Sequence, residues 1–152
     1  MTVAAWAPER VGADGAAPGL ACGDCGACCV LLPIVELNKP GRWACDHLTR
    51  QGCGCYDERP GACREFHCVW LRGALGSDVA LRPDRLGVMF DWFQIRGTGE
   101  ECCQALELWP GAFDDARVGQ LLQILTTRWA VNLLYRDSRR STLPVSVAGV
   151  TD

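Results

Sequence analysis

The chain has 152 residues, 49% of them hydrophobic, a length and composition that fit one domain with a modest core. A formal net charge of -3 and a pI near 5.4 give no attraction for phosphate, which argues against nucleic acid as a partner. No apolar run approaches the ~20 residues that span a bilayer, so no membrane partner is expected.

Residues 1–20 are rich in Ala, Gly and Pro and carry Glu9, Arg10 and Asp14. They lack the basic and apolar regions of an export signal and read as a flexible N-terminal arm. Residues 21–140 read as a single domain, with a Cys-rich half over 21–70, a hairpin and helix over 86–136, and a tail over 141–152. In the first half, Val30 to Val35 is apolar but interrupted by Pro33, which suits a short buried strand or a core-facing loop. Asn38-Lys39-Pro40-Gly41 is a turn. Gly52, Gly54, Pro60 and Gly61 then break the chain into loop, with one helical turn expected near Ala62 to Trp70.

From Leu86 the pattern changes. Val88 to Ile95 is rich in β-formers and suits a strand buried on both faces. Gly97 to Glu101 is a turn, Cys102 to Trp109 the return strand, and Trp109-Pro110-Gly111 closes the hairpin. Asp114 or Asp115 caps a helix with Val118, Leu121, Leu122, Leu125 and Trp129 on one face. The spacing carries this helix towards Tyr135, where Arg136, Arg139 and Arg140 suit its C-terminal dipole. Pro144 stops it. The fold class is therefore α+β: an irregular Cys-rich half packed with a β-hairpin and a C-terminal amphipathic helix.

Eleven cysteines dominate the composition. Nine lie between Cys22 and Cys68; the others are the adjacent Cys102 and Cys103. An odd count without an export signal disfavours a disulfide framework and points to a cytoplasmic protein whose thiolates bind metal ions. The densest motif is Cys22-Gly23-Asp24-Cys25-Gly26-Ala27-Cys28-Cys29, a CxxCxxCC run. Two residues between thiolates let the backbone wrap one ion, and Gly23 and Gly26 ease those turns. Turn amides aimed back at sulfur spread its charge. Three cysteines at this spacing also begin many iron–sulfur sites. A second cluster follows: Cys45, Cys53, Cys55, Cys63 and Cys68.

Together these motifs resemble the YkgJ-type cysteine-cluster family, a CxxCxxCC zinc- or iron-chelating domain. That family joins the opening run to a block like Cys53 to Cys63, with Tyr56, Arg59 and Pro60 inside it. Cys45 stands where the family has a cysteine before that block, and Cys68 where many members have one after an aromatic residue, here Phe66. The resemblance covers about residues 20 to 70 and makes 21–70 the metal-binding half. It implies eight metal ligands: Cys22, Cys25, Cys28, Cys29, Cys45, Cys53, Cys63 and Cys68. Cys55 departs from the pattern, as an extra ligand or a buried hydrophobe; Cys102 and Cys103 lie outside it. Thiolates suit zinc and an iron–sulfur cluster alike, so both remain open.

His47 and His67 read as residues beside the thiolates rather than ligands, given the surplus of sulfur. Neighbours on a strand, Cys102 and Cys103 should face opposite sides, one inward as a hydrophobe. Arg59 suits neutralising an anionic thiolate site or a salt bridge with Asp57 or Glu58. Tyr56 reads as packing. Trp92, Trp109 and Trp129 are expected to fill the core, and Trp43 and Trp70 to shield the second cluster.

No Ser–His–Asp or Cys–His arrangement and no phosphate loop after a strand is found, so no catalytic residue is assigned. A metal-binding module with no catalysis of its own is the leading function. An iron–sulfur redox protein or enzyme and a zinc-stapled adaptor for an unknown protein partner are the alternatives.

Overall fold

The longest elements, two seven-residue strands and a ten-residue helix, all follow residue 87. The structure, a computed structural model, describes residues 16–95 and 97–146. It is an α+β fold. Before residue 87 come only short pieces: α1 (Ala27–Leu31), β1 (Leu48–Thr49), β2 (Gly52–Cys53), α2 (Gly61–Glu65) and α3 (Pro83–Leu86). After it come β3 (Val88–Gln94), β4 (Glu101–Glu107), α4 (Ala116–Leu125), β5 (Val131–Leu134) and β6 (Arg140–Leu143).

The expected hairpin is present. β3 and β4 pair antiparallel from Val88↔Glu107 to Gln94↔Glu101. The alternation of side chains sends Val88 and Phe90 to one face and Met89 to the other. Both faces are covered over Val88 to Phe90, but Phe93, Gln94 and Ile95 are exposed, so the expected burial on both faces holds only for the first part of the strand. On the first face Val118, Leu121, Leu122 and Leu125 of α4 complete the main core with Val69, Cys103, Ala105 and Val131. On the second, Met89 and Leu106 pack against Ala27 and Leu31 of α1. The sheet is thus a floor on which the CxxCxxCC segment rests.

Asp115 caps α4, its carboxylate accepting from the Arg117 N–H at 2.8 Å. The helix stops at Leu125 and does not reach Tyr135, which corrects the sequence expectation. Two β-branched residues follow, and their hydroxyls turn back on the last carbonyls: Thr126 donates to Gln123 at 3.2 Å and Thr127 to Ile124 at 2.6 Å. Residues 131–134 then alternate between buried and more exposed positions, and β5 pairs parallel with β4 from Cys103↔Val131 to Leu106↔Leu134. β6 adds antiparallel to β5, giving the order β3-β4-β5-β6. Arg136 and Arg139 therefore sit in the β5–β6 turn and Arg140 opens β6, with no helix dipole to complement.

The ends also differ from expectation. Part of the assumed tail is strand, and the Ser146 N–H donates to Thr126 O at 2.7 Å. Ala17 donates to Leu71 O at 2.9 Å and Leu20 packs on the main core, so residues 16–20 dock rather than hang free. The rest of the arm lies outside the described residues. Trp129 is buried, but beyond the helix, donating to Glu101 Oε2 at 2.6 Å. Trp109 is partly exposed and covers Gly87 rather than filling the core. No helix among the described residues is long and apolar enough to cross a membrane.

Candidate metal centre

The CxxCxxCC run opens as a tight turn, the Cys25 N–H donating to Cys22 O at 2.9 Å. Gly23 takes a left-handed φ of 56°, and a Cβ there would come within 3.1 Å of Arg82 Nη1. Arg82 is buried and its guanidinium holds Asp24 in the turn and Asp84 in α3, the latter at 2.7 Å. These hydrogen bonds push the Arg82 guanidinium above its ordinary range. Burial acts to raise Asp84, but the hydrogen bond and charge of Arg82 outweigh it and hold the carboxyl below its usual value. Residues 58 apart are thereby clamped together.

Cys28 and Cys29 ride on α1, and the Cys45 N–H donates to Cys29 O at 2.9 Å. The β1–β2 hairpin carries Cys53 and lies directly on the first turn. A Cβ at Gly52, whose φ is 97°, would meet Gly23 O at 3.0 Å. Cys55 follows, then α2 with Cys63. Cys22, Cys25, Cys28, Cys29, Cys45, Cys53, Cys55 and Cys63 all line one cavity of about 50 Å³, with Leu32, Ile34, Leu37 and Phe66 among its apolar walls.

Seven of the eight expected ligands thus share a cavity, and Cys55 joins them. Cys68 does not line it. It packs against both core clusters, near enough to Cys22 and Cys25 to feel their charge. His47 and His67 do not line the cavity either. The His47 backbone N–H donates to Cys45 Sγ at 3.5 Å, while the His67 ring faces Glu65 O. Cys103 is fully buried in the main core and Cys102 less so, as the strand alternation required.

Burial raises several of these thiols above their ordinary value. Burial pushes Cys25 up to about 11 and Cys68 to about 12, even though backbone N–H groups of Ala27, Leu71 and Trp70 aim at these sulfurs. Hydrogen bonding with Cys28, then burial, raises Cys29. Burial first, then the charges of Cys29, Cys53 and Cys45, raises Cys63, against the pull of Arg59.

Three cations face this sulfur. Arg82 and Arg59 both favour ionised Cys22. Arg59 stacks on Tyr56 at 3.8 Å, and the pair lines the cavity. Lys39 is the least expected. It closes the tight Ile34–Lys39 bridge after left-handed Asn38, and its buried ammonium donates to Leu32 O and Pro40 O. Burial lowers it, while Cys45, Cys29, Cys28 and Cys63 act to hold its proton.

Donor chemistry and convergence suit a thiophilic ion. The geometry is looser: among the described residues no group of three or more His, Cys, Asp or Glu side chains meets the arrangement of a metal site. Trp43 is 68% exposed and Trp70 is buried in the core, so neither shields the cavity as expected.

Lys39, Asp24, Arg82 and Asp84 escaped the sequence reading. Lys39 was legible only as part of a turn, and nothing local links Asp24 to Arg82. Compared with protein-family models, curated proteins and solved structures, the chain gives no match.

Proposed function

We propose that the protein binds metal through its clustered cysteine thiolates, as zinc or as an iron–sulfur cluster, and that it is a cytoplasmic member of the YkgJ-type family that its motifs resemble. The observation that carries this reading is the convergence of eight cysteines, from separate short segments, on one small cavity. Such a concentration of soft donors has few uses other than a thiophilic metal. Lys39, Arg59 and Arg82 supply positive charge that an anionic thiolate centre needs nearby. Cys22, Cys25, Cys28, Cys29, Cys45, Cys53 and Cys63 would hold the metal from the cavity wall, with Cys68 reaching it from behind.

Zinc would close the short segments into a fixed shape, and an iron–sulfur cluster would add electron transfer. The chain's own part is to hold the sulfurs, exclude water with Leu32, Ile34 and Phe66, and release thiol protons on loading. Those protons make loading pH-dependent: the raised thiols favour binding as pH rises.

Metal content and the visible spectrum of protein purified without oxygen test the reading. About one or two zinc ions, as Cys₄ sites require, or a brown protein with iron and acid-labile sulfide, is expected. Cys25→Ser and Cys63→Ser should each lower the content. A protein that carries no metal, and takes up neither zinc nor iron with sulfide after reduction, overturns it.

A further inference from the structure

Cys29 pairs with Cys28 and also reaches Cys53, and beyond them lies a second pair of thiols, Cys53 and Cys55. Their Sγ atoms lie 3.7 Å apart. Two thiolates on one tetrahedral zinc, each about 2.3 Å from it, are separated by about 3.8 Å. The pair therefore already has the edge length of a tetrahedral thiolate site.

The backbone between them is pinned. The Gly54 N–H donates to His47 O at 2.7 Å, and a Cβ at Gly54 would press to 2.8 Å from that same oxygen. Only glycine fits. The His47 N–H in turn points at Cys45 Sγ. One patch of backbone thus orients Cys45, Cys53 and Cys55 together. Cys63, in the middle of α2, faces the same cavity, and its charge and that of Cys45 both reach Cys55.

We propose that Cys45, Cys53, Cys55 and Cys63 form one outer thiolate site for a single soft divalent ion such as zinc, with Cys55 as its fourth donor. This deepens the metal-binding reading and rests on it. Cys55 is then neither a spare thiol nor a hydrophobe; Cys22, Cys25, Cys28 and Cys68 make up the four donors of an inner site, and Cys29 lies between the two, in reach of Cys28 and Cys53. The four sulfurs are not yet set around one point. Binding draws Cys45 and Cys63 in around the existing pair and expels up to four thiol protons, as deprotonated ligands require.

Cobalt(II), added anaerobically to reduced metal-free protein, tests the assignment by its thiolate absorption and stoichiometry. The intact protein should take up about two ions, as two Cys₄ sites require. Cys55→Ser should lose one of them, or bind it about tenfold or more weakly, a loss of the size that disturbed metal sites show. Cys102→Ser, outside the cavity, should match the intact protein, and protection of the β3–β4 amides confirms that both variants are folded. A folded Cys55→Ser variant with unchanged stoichiometry, affinity and spectrum overturns the outer site while leaving metal binding intact. If the intact protein itself takes up no ion, the parent reading fails and this one with it.

Discussion

From Cys22 to Cys68 the buried apolar side chains are Ala27, Leu31 and Ile34; among the described residues all the others lie from Val69 onward. The two regions also differ in regularity. The first is assembled from elements of two to five residues, the second from a four-stranded sheet and a ten-residue helix. Where the second half buries Phe90, Leu121 and Val131, the first turns cysteines toward its interior cavity. A hydrophobic core coheres by itself, because burial of apolar area is favourable without further partners. An interior of thiols gains little until an ion joins it. One half therefore coheres through apolar burial, and on the proposed reading the other is completed by its ion.

That contrast breaks most visibly at Leu121. Leu121→Ala should destabilise the whole molecule by about 3 kcal/mol, since this fully buried residue sits at the centre of the main core. Denaturant unfolding should show the same loss with and without bound metal. A loss that appeared only in one state would mean that the halves share a single core.

Arg82 tests the joint between the regions. Arg82→Met keeps the length but removes the hydrogen bonds to Asp24 and Asp84, worth about 2 kcal/mol for charged partners, part of it screened where Asp24 is half exposed. Hydrogen exchange should quicken around Cys22 to Cys25 and stay slow in β4. Equal quickening in both would show that the clamp belongs to the sheet rather than to the cysteine turn.

The smallest effect belongs to the second half alone. Asp115→Ala removes the α4 cap and should cost about 1 kcal/mol near neutral pH. Hydrogen bonds from the Arg117 side chain and backbone hold the Asp115 carboxyl at about 2, below its unfolded value. Its contribution is therefore present above about pH 4 and disappears as pH falls towards 2. The gap between variant and parent, followed by thermal unfolding, should close over that window.

The hairpin was legible because apolar β-formers flank a glycine turn, and the start of α4 because Asp115 precedes a helical stripe. The end of α4 was not. Leu125, Trp129 and Leu133 continue a spacing of four, while Val131 and Leu133 fit a strand equally well. Only pairing with β4, set far along the chain, decides between them. The clustering of cysteines in the sequence drew attention to this half, and the family resemblance named seven of the eight cysteines that line the cavity. It did not show that Cys68 lies off the cavity or that Cys55 lines it. Lys39 and Arg82 stayed hidden because each acts through a contact that no local pattern encodes.

The separation of 58 positions between Asp24 and Arg82 also sets an order of events during synthesis. At about 5–20 residues per second, the first thiols leave the ribosome roughly 3 to 12 s before the guanidinium that will clamp their turn. The sheet on which α1 will rest emerges later still. A thiophilic ion or an oxidant arriving in that interval meets sulfur that no fold yet orients, so the fate of these cysteines is open to kinetic competition before the molecule is complete.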